Sequence, residues 1–342
     1  MTATVTASAP ASPLRVGWMH ANSVRDWWGH GHDRARRAAE RRFGARIRTE
    51  VLDELGDGDG WSAAADSLAS RASLVFVCDV TVTDRLERVA ASHPTTRFVH
   101  CQGRRPSANV ATYRAARDEH AFVSGMLAGA ATRTGRLGLV EGARSAHDLL
   151  YTNAWILGAL RSAPDARIEL RWLGTYHAPD QAERERAAVA ELIAAGVDVI
   201  GGNLAENPAV VAAAGEGGAL VTAHDDRLSH LPQVLDASYL EWSPYVIRSI
   251  AAVLDGTWSA RDDYLRASDG VVLNTPPAPW LPERARTRAN DVASAIRAGR
   301  FDIWAGPIRD QAGELVVPAG SRLTEEYLDS DRLDWIAGSV TD

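Results

Sequence analysis

Short runs of β-branched and aliphatic residues alternate with longer stretches of helical period along most of this chain, and that alternation admits few folds. It is the pattern of a parallel sheet with helices on its faces, in which buried strands read as near-continuous apolar runs. In the first half, Leu14–Met19, Arg46–Val51, Ser73–Cys78 and Thr96–Cys101 read as strands, with helices over 23–42 and 81–92. A polar interruption near 106–117 follows. The pattern then restarts with a helix over Asp118–Thr132 and strands at Arg136–Val140, Arg167–Trp172, Asp198–Gly201 and Ala219–Thr222. Helices fall at about 146–161, 180–195 and 207–214. A further helix over Glu241–Asp255, a strand at Gly270–Leu273, a Pro-rich segment at 276–282 and a helix over 283–298 complete the reading.

Two successive α/β sets, each too short to close a barrel, predict an α/β protein of two doubly wound parallel-sheet lobes. The 342 residues suit two domains. The expected division is a disordered tail over 1–12, a first lobe over 13–113 with about 243–266, and a second over about 114–242 with 267–342. The helix near 241–255 returns the chain to the first lobe.

Composition narrows the function. The net charge of −7 disfavours nucleic acid and anionic membrane, both of which require a positive field. All 37 basic side chains are arginine. Without lysine there is no Schiff base, no lysine nucleophile and no P-loop, and no GxSxG or GxGxxG motif stands in the chain. Hydrophobic residues at 46% with charged residues at 24% are those of a globular chain. MTATVTASAPASP, at the start, lacks the basic and apolar regions of a signal peptide and no early cysteine offers a lipid anchor. The expected location is therefore cytoplasmic as written, and extracytoplasmic if the true start differs. No run of about 18 apolar residues would insert in a membrane. Cys78 and Cys101 sit at strand ends and read as reduced structural thiols.

Doubly wound sheets bind ligands at the carboxyl ends of their strands, so the residues following each strand are the ones to weigh. After the first strand come Asp26, Trp27, Trp28, Gly29, His30, Gly31, His32 and Asp33. This segment reads either as a helix start, capped by Asp26, or as a clamp in which a tryptophan stacks on a planar ring and a carboxylate accepts hydrogen bonds.

Asp26, Trp28 and the pair His32–Asp33 have the spacing of the first motif of the basic membrane lipoprotein (BMP) family, which this chain resembles. The resemblance continues in order through AsnValAlaThrTyr at 109–113, GluHisAlaPheValSerGlyMetLeuAlaGly at 119–129 and ThrArgThrGlyArgLeuGlyLeuVal at 132–140. It runs on through AsnAlaTrp at 153–155, AlaAlaGlyValAspValIle at 194–200, AspGlyThrTrp at 255–258 and AspGlyValVal at 269–272. Its most distinctive block is GlyProIleArgAspGlnAlaGlyGluLeuValValProAlaGly at 306–320.

The resemblance implies a type I periplasmic-binding-protein-like fold whose lobes, joined by a hinge, close on a nucleoside- or nucleobase-like ligand. It also implies the membrane subunits of an ABC importer as partners. Carried over by position, Asp26, Trp28 and His32 are first-lobe contacts. Phe122, Asn153, Trp155, Tyr176 and Glu206 would form the second-lobe face, and Asp225, Asp226 and Trp242 the hinge side. Phe122 and Trp155 read equally well as core residues, and Glu206, before Asn207–Pro208, as part of a helix start. The lysine that nucleoside-binding relatives often place near AlaSerAspGly at 267–270 is missing here. His30, His32, His120, His147, His177 and His224 lack metal-ligand spacing, so no metal and no cofactor is expected. Three roles fit these observations: a solute-binding protein, an intracellular ligand sensor, or a binding cleft recruited for catalysis. With no catalytic spacing in view, binding without turnover is the reading adopted.

Overall fold

A computed structural model describes residues 12–56, 58–176, 178–330, 332–338 and 340–341. Apart from Ser12, the expected tail lies outside these residues, as does His177. The chain forms two compact units. Unit 1 comprises residues up to Arg114 with Glu241–Leu265, and unit 2 comprises Ala115–Leu240 with Arg266 onward.

Unit 1 begins with β1 (Leu14–Met19), α1 (Trp27–Phe43), β2 (Ile47–Leu52), α2 (Asp59–Ala69), β3 (Leu74–Val77), α3 (Thr83–Ser92), β4 (Arg97–Cys101) and β5 (Val110–Ala115). The chain then enters unit 2 through α4 (Arg117–Ala131), β6 (Arg136–Glu141), α5 (Ala146–Ser162), β7 (Arg167–Trp172), α6 (Gln181–Ala194), β8 (Val199–Gly201), α7 (Pro208–Glu216), β9 (Leu220–Ala223) and β10 (Val234–Leu240). It returns to unit 1 as α8 (Ser243–Leu254) and β11 (Asp262–Leu265). It ends in unit 2 with β12 (Val272–Asn274), α9 (Glu283–Arg297), the hairpin β13 (Ile308–Arg309) and β14 (Leu315–Val317), α10 (Glu325–Leu328) and β15 (Val340–Thr341).

The sheet of unit 1 runs in the order β11-β5-β4-β3-β1-β2 and that of unit 2 in the order β12-β10-β9-β8-β6-β7-β15. Pairing is parallel from β2 across to β5 and from β10 across to β15, with β12 antiparallel at one edge of unit 2. The α/β reading is therefore correct, and the sheets contain strands that hydropathy missed.

The interruption expected at 106–117 contains β5, all six residues of which are buried. Its Arg114 is held by Asp262 of β11, with Nη1 donating to Oδ1 at 2.7 Å and Nη2 to Oδ2 at 3.1 Å. Likewise β10 carries a buried Asp236 inside a strand that sequence reading passed over. A charged residue lowers the apparent hydropathy of a buried strand while its paired partner, far along the chain, makes the burial possible.

Hydrophobic cores on both faces show that unit 2 is doubly wound. Leu137, Leu139 and Val199 pack in a core with α4, α5 and α9, whereas Val140, Ile200 and Val221 pack in another with α6 and α7. Alternation along each strand divides these residues between the two faces. The closest helix contact joins α4 to α5. A Cβ placed on Gly125 would lie 2.0 Å from the Trp155 carbonyl, and one on Gly158 2.0 Å from the Phe122 carbonyl, so only glycine lets the two backbones approach this closely. In unit 1 the core is built from Trp61, Leu68, Val75, Val77, Leu86 and Phe98, with Met19. Among the described residues, no helix is long and apolar enough to cross a membrane.

Candidate ligand-binding site

In unit 1 the polar and aromatic side chains gather at the carboxyl ends of β1 and β3 and at the start of α1. Asp26 is the N-cap of α1, its carboxylate accepting from the Gly29 amide at 2.6 Å. The cap satisfies an amide that the helix itself leaves without a partner. Two residues on, Trp28 is half-buried and donates Nε1–H to the Cys78 carbonyl at 2.5 Å. That bond pins the indole against the end of β3. His32 lies beneath it, fully buried, with Nδ1 2.9 Å from the Trp28 carbonyl and Nε2 3.0 Å from the Tyr113 hydroxyl.

The His32 ring stacks on Trp242 at 5.2 Å, and Trp242 meets the Trp28 edge at 6.2 Å. Tyr113 in turn stacks on Tyr245 of α8 at 4.6 Å. This buried aromatic column leaves only the outermost indoles, Trp27 and Trp28, in partial contact with solvent.

Asp79, two residues beyond β3 and almost fully buried, closes the loop: Ala21 N–H donates to Oδ1 and Trp61 Nε1–H to Oδ2 at 3.1 Å. The described non-glycine residues with left-handed backbone, Glu54 (φ 56°) and Gln102 (φ 60°), both follow strand ends, after β2 and β4. Such strain collects where a surface must be shaped for function.

In unit 2 the equivalent ends carry Glu141, Asn203 and His224, joined by Arg117 at the start of α4. Arg117 hydrogen-bonds Asn203 Oδ1 and His147 Nε2, and its Nη2 stands 3.3 Å from His224 Nε2. Its guanidinium also lies over the Tyr151 ring at 5.5 Å. Glu141 receives the Asn203 amide at 3.0 Å, the Asn203 side-chain amide at 2.7 Å and the Thr152 hydroxyl at 2.9 Å. His224 Nδ1 reaches Ser238 Oγ at 2.6 Å, and Tyr176 donates its hydroxyl to Asp148.

Burial sets the protonation of both groups. It pushes His20 down to about 4 against the opposing charges of Asp33 and Asp53, and His32 down to about 3. It drives His224 well below its ordinary range, with Arg117 adding to the effect. Burial also raises Glu141 to about 7, with the two Asn203 hydrogen bonds pulling the other way. At neutral pH the aromatic column of unit 1 is therefore uncharged.

Ring-carbon NMR should show His20 and His32 without a titration step between pH 8 and 5, and a midpoint near 6.5 for either would refute the burial. Because the unfolded chain protonates these groups below about 6.5 and the fold does not until about 3 to 4, their contribution to stability declines as pH falls through that window. Glu141 and Glu119, both raised to about 7, act in the opposite direction over much of the same range, so the resolved signals of the individual rings provide the test.

Four of the expected contacts are held within unit 2 by packing or hydrogen bonds. Phe122 is core, packed on Phe301 at 5.3 Å. Trp155 is wholly buried beneath the ends of β8 and β9, donating Nε1–H to Thr222 Oγ1 at 2.9 Å. Asn153 fastens the C-terminal segment, giving Nδ2–H to the Trp335 carbonyl at 2.9 Å and accepting from Ala337 N–H at 2.8 Å. Asp225 is buried and caps a 3-10 turn while holding Arg227, with Arg227 Nε–H to Oδ2 at 2.8 Å. These four side chains are engaged in packing and turn formation. Their positions on a motif did not reveal which face of the element they occupy.

Tyr176, Glu206 and Asp226 are half-buried at strand-end loops of unit 2, and Trp242 stands in unit 1 against His32. Sequence reasoning did not select Arg117, Asn203, Glu141 or Asp79. The last three lie at or within two residues of a strand's carboxyl end, and that position is the signal that would have found them. Where relatives often carry lysine, the neighbouring cation here is Arg266, whose Nη1 donates to Glu119 at 3.0 Å and whose Nη2 pairs with Glu325.

Two parallel α/β units, each with aromatic and polar side chains at its strand ends, define the class of type I periplasmic-binding-protein-like folds. Solved structures agree. A solute-binding protein of an ABC transporter system from Conexibacter woesei DSM 14684 superposes with a TM-score of 0.66 at 18% identity, over 84% of this chain and 97% of its own. One from Aeropyrum pernix K1 gives 0.69 at 14% identity, over 95% and 100%. Residues 25–296 match the Bmp family profile, ABC transporter substrate-binding protein PnrA-like, and the chain belongs to that family. A purine-binding protein of Brucella abortus (strain 2308) is 26% identical over 318 residues, 92% of this chain and 90% of the relative. The chain is thus a small-molecule-binding component of the ABC solute-binding type.

Proposed function

We propose that the ligand is a purine-type molecule, a nucleobase or nucleoside, delivered to the membrane subunits of an ABC importer. The observation that carries this reading is Trp28, an indole fixed by its bond to Cys78 and backed by neutral His32 and Trp242, with its remaining surface open to solvent. A rigid aromatic face suits a planar heterocycle and costs little conformational entropy to order. The strand-end set of unit 2, Arg117, Asn203 and His147 with Tyr176, supplies donors and acceptors of the kind a purine edge or ribose requires. The identity of the Brucella abortus relative as a purine-binding protein supports the same ligand class.

A thermal-shift screen against purine and pyrimidine bases, their nucleosides and simple sugars tests the reading. Stabilisation by mass action with purines alone is the expected result. Recovery of the bound purine unaltered after incubation is expected of a binding protein. A response confined to sugars would overturn the purine assignment, and a chemically altered ligand would overturn binding without turnover.

A further inference from the structure

Away from its strand ends, unit 2 contains a cavity of about 340 Å³ among α4, β10, β12 and α9. Asn290, Ser294 and Arg297 of α9 are solvent-exposed and form its mouth. Its walls are mixed, with Val123, Leu127, Val272, Pro276 and Ile296 interspersed with Glu119, His120, Asn274 and Thr275. Deep within it, Asp236 is 1% exposed. Its Oδ2 accepts from Ser124 Oγ at 2.8 Å and Asn274 Nδ2 at 2.9 Å, while Oδ1 accepts no hydrogen bond among the described residues.

A buried carboxylate oxygen without a donor is costly, and a native fold seldom retains one without a use. Burial raises Asp236 to about 6, so the group remains mostly ionised at neutral pH inside a low-dielectric pocket. The other acidic residue of the lining, Glu119, is already satisfied by Ala267 N–H at 2.6 Å and by Arg266 at 3.0 Å.

We propose that this cavity is a second binding site, for a small organic cation: a primary ammonium donating to Asp236 Oδ1, carried on an apolar body that fills the space between α4 and α9. An ammonium supplies both the missing donor and the opposite charge, so it offsets the desolvation of Asp236 twice over. The aliphatic side chains among the walls, Val123, Leu127, Val272 and Ile296, suit the organic body of such a cation. The volume falls in the range of small-molecule sites. Nothing in this argument depends on the purine assignment, because the cavity shares no residue with the strand-end set.

Titrating the purified protein by calorimetry with cyclohexylamine, and with cyclohexanol as the uncharged molecule of similar shape, tests the proposal. The amine should bind and the alcohol should not. Asp236→Asn should weaken amine binding about tenfold or more, the range for a hydrogen bond to a charged group, while leaving purine affinity unchanged. Ser294→Trp, at the solvent-exposed mouth, should block entry without touching the core, which keeps the test decisive if Asp236→Asn folds poorly. Absence of amine binding, equal binding of amine and alcohol, or amine binding that survives both substitutions would overturn the proposal.

Discussion

Trp28→Ala is expected to weaken purine binding by roughly 1–3 kcal/mol, the range for one base stacked on one aromatic side chain, which is about a five- to 150-fold rise in Kd. The half-buried ring is the outer face of a column whose inner members, His32, Trp242, Tyr113 and Tyr245, are sealed from solvent. Removing the indole also deletes its bond to the Cys78 carbonyl and its packing on Trp242, so some stability is lost as well. Trp28→Phe separates the two effects. It keeps a smaller aromatic face and forfeits the Nε1–H bond, so part of the affinity should return while the cost of losing that bond remains. Isothermal titration of both variants, with melting temperatures measured in parallel, provides the check. If Trp28→Ala binds purine as the parent does, Trp28 is not a ligand contact and the proposed stacking fails.

Gly202→Ala should be among the most damaging single-methyl changes in unit 2. Gly202 has φ 108° and ψ 173°, a region that is essentially restricted to glycine. A Cβ there would also sit 2.4 Å from the Val140 carbonyl oxygen and 2.9 Å from the Val140 nitrogen, neither of which can move without disturbing β6. Strain and collision together should cost about 3 kcal/mol or more, placing the change among the severe point substitutions.

The effect should extend to function, because Gly202 sets the backbone that delivers Asn203 to both Glu141 and Arg117. A clear drop in melting temperature with loss of ligand response is the expected outcome. A variant that melts with the parent would show that this turn tolerates a side chain and is not what fixes Asn203. Gly201→Ala is a useful neighbour: its added carbon meets the Thr222 and Trp155 side chains at 2.6 and 2.8 Å, which can adjust more readily than backbone, and its cost should be smaller.

Much of the fold was legible because the relevant physics is local. Strands such as Leu14–Met19 and Arg167–Trp172 were read to the residue from their apolar runs, and α1, α4, α5 and α6 to within a few residues from helical period. The family was legible too, because its motifs recur in order along the chain and the residues they contain face short-range constraints such as the Asp26 cap.

Other features depended on partners distant in sequence. Strand β5 became readable as a strand only when Arg114 met Asp262, 148 positions away, and β10 only when Asp236 met Ser124, 112 positions away. Periodicity along one segment carries no record of such pairings. The same limit applied to the candidate site. A motif places Phe122, Asn153 and Trp155 on helices but not on a face; Phe122 and Trp155 lie in the core that α4 and α5 share, and Asn153 holds the C-terminal segment at Trp335 and Ala337. The polar side chains near the strand ends of unit 2, buried Arg117 and Asn203 with half-buried His147 and Tyr176, come from four separate segments. Local sequence thus determined which elements form and which family they serve, whereas long-range burial and charge pairing decided where the side chains of those elements lie.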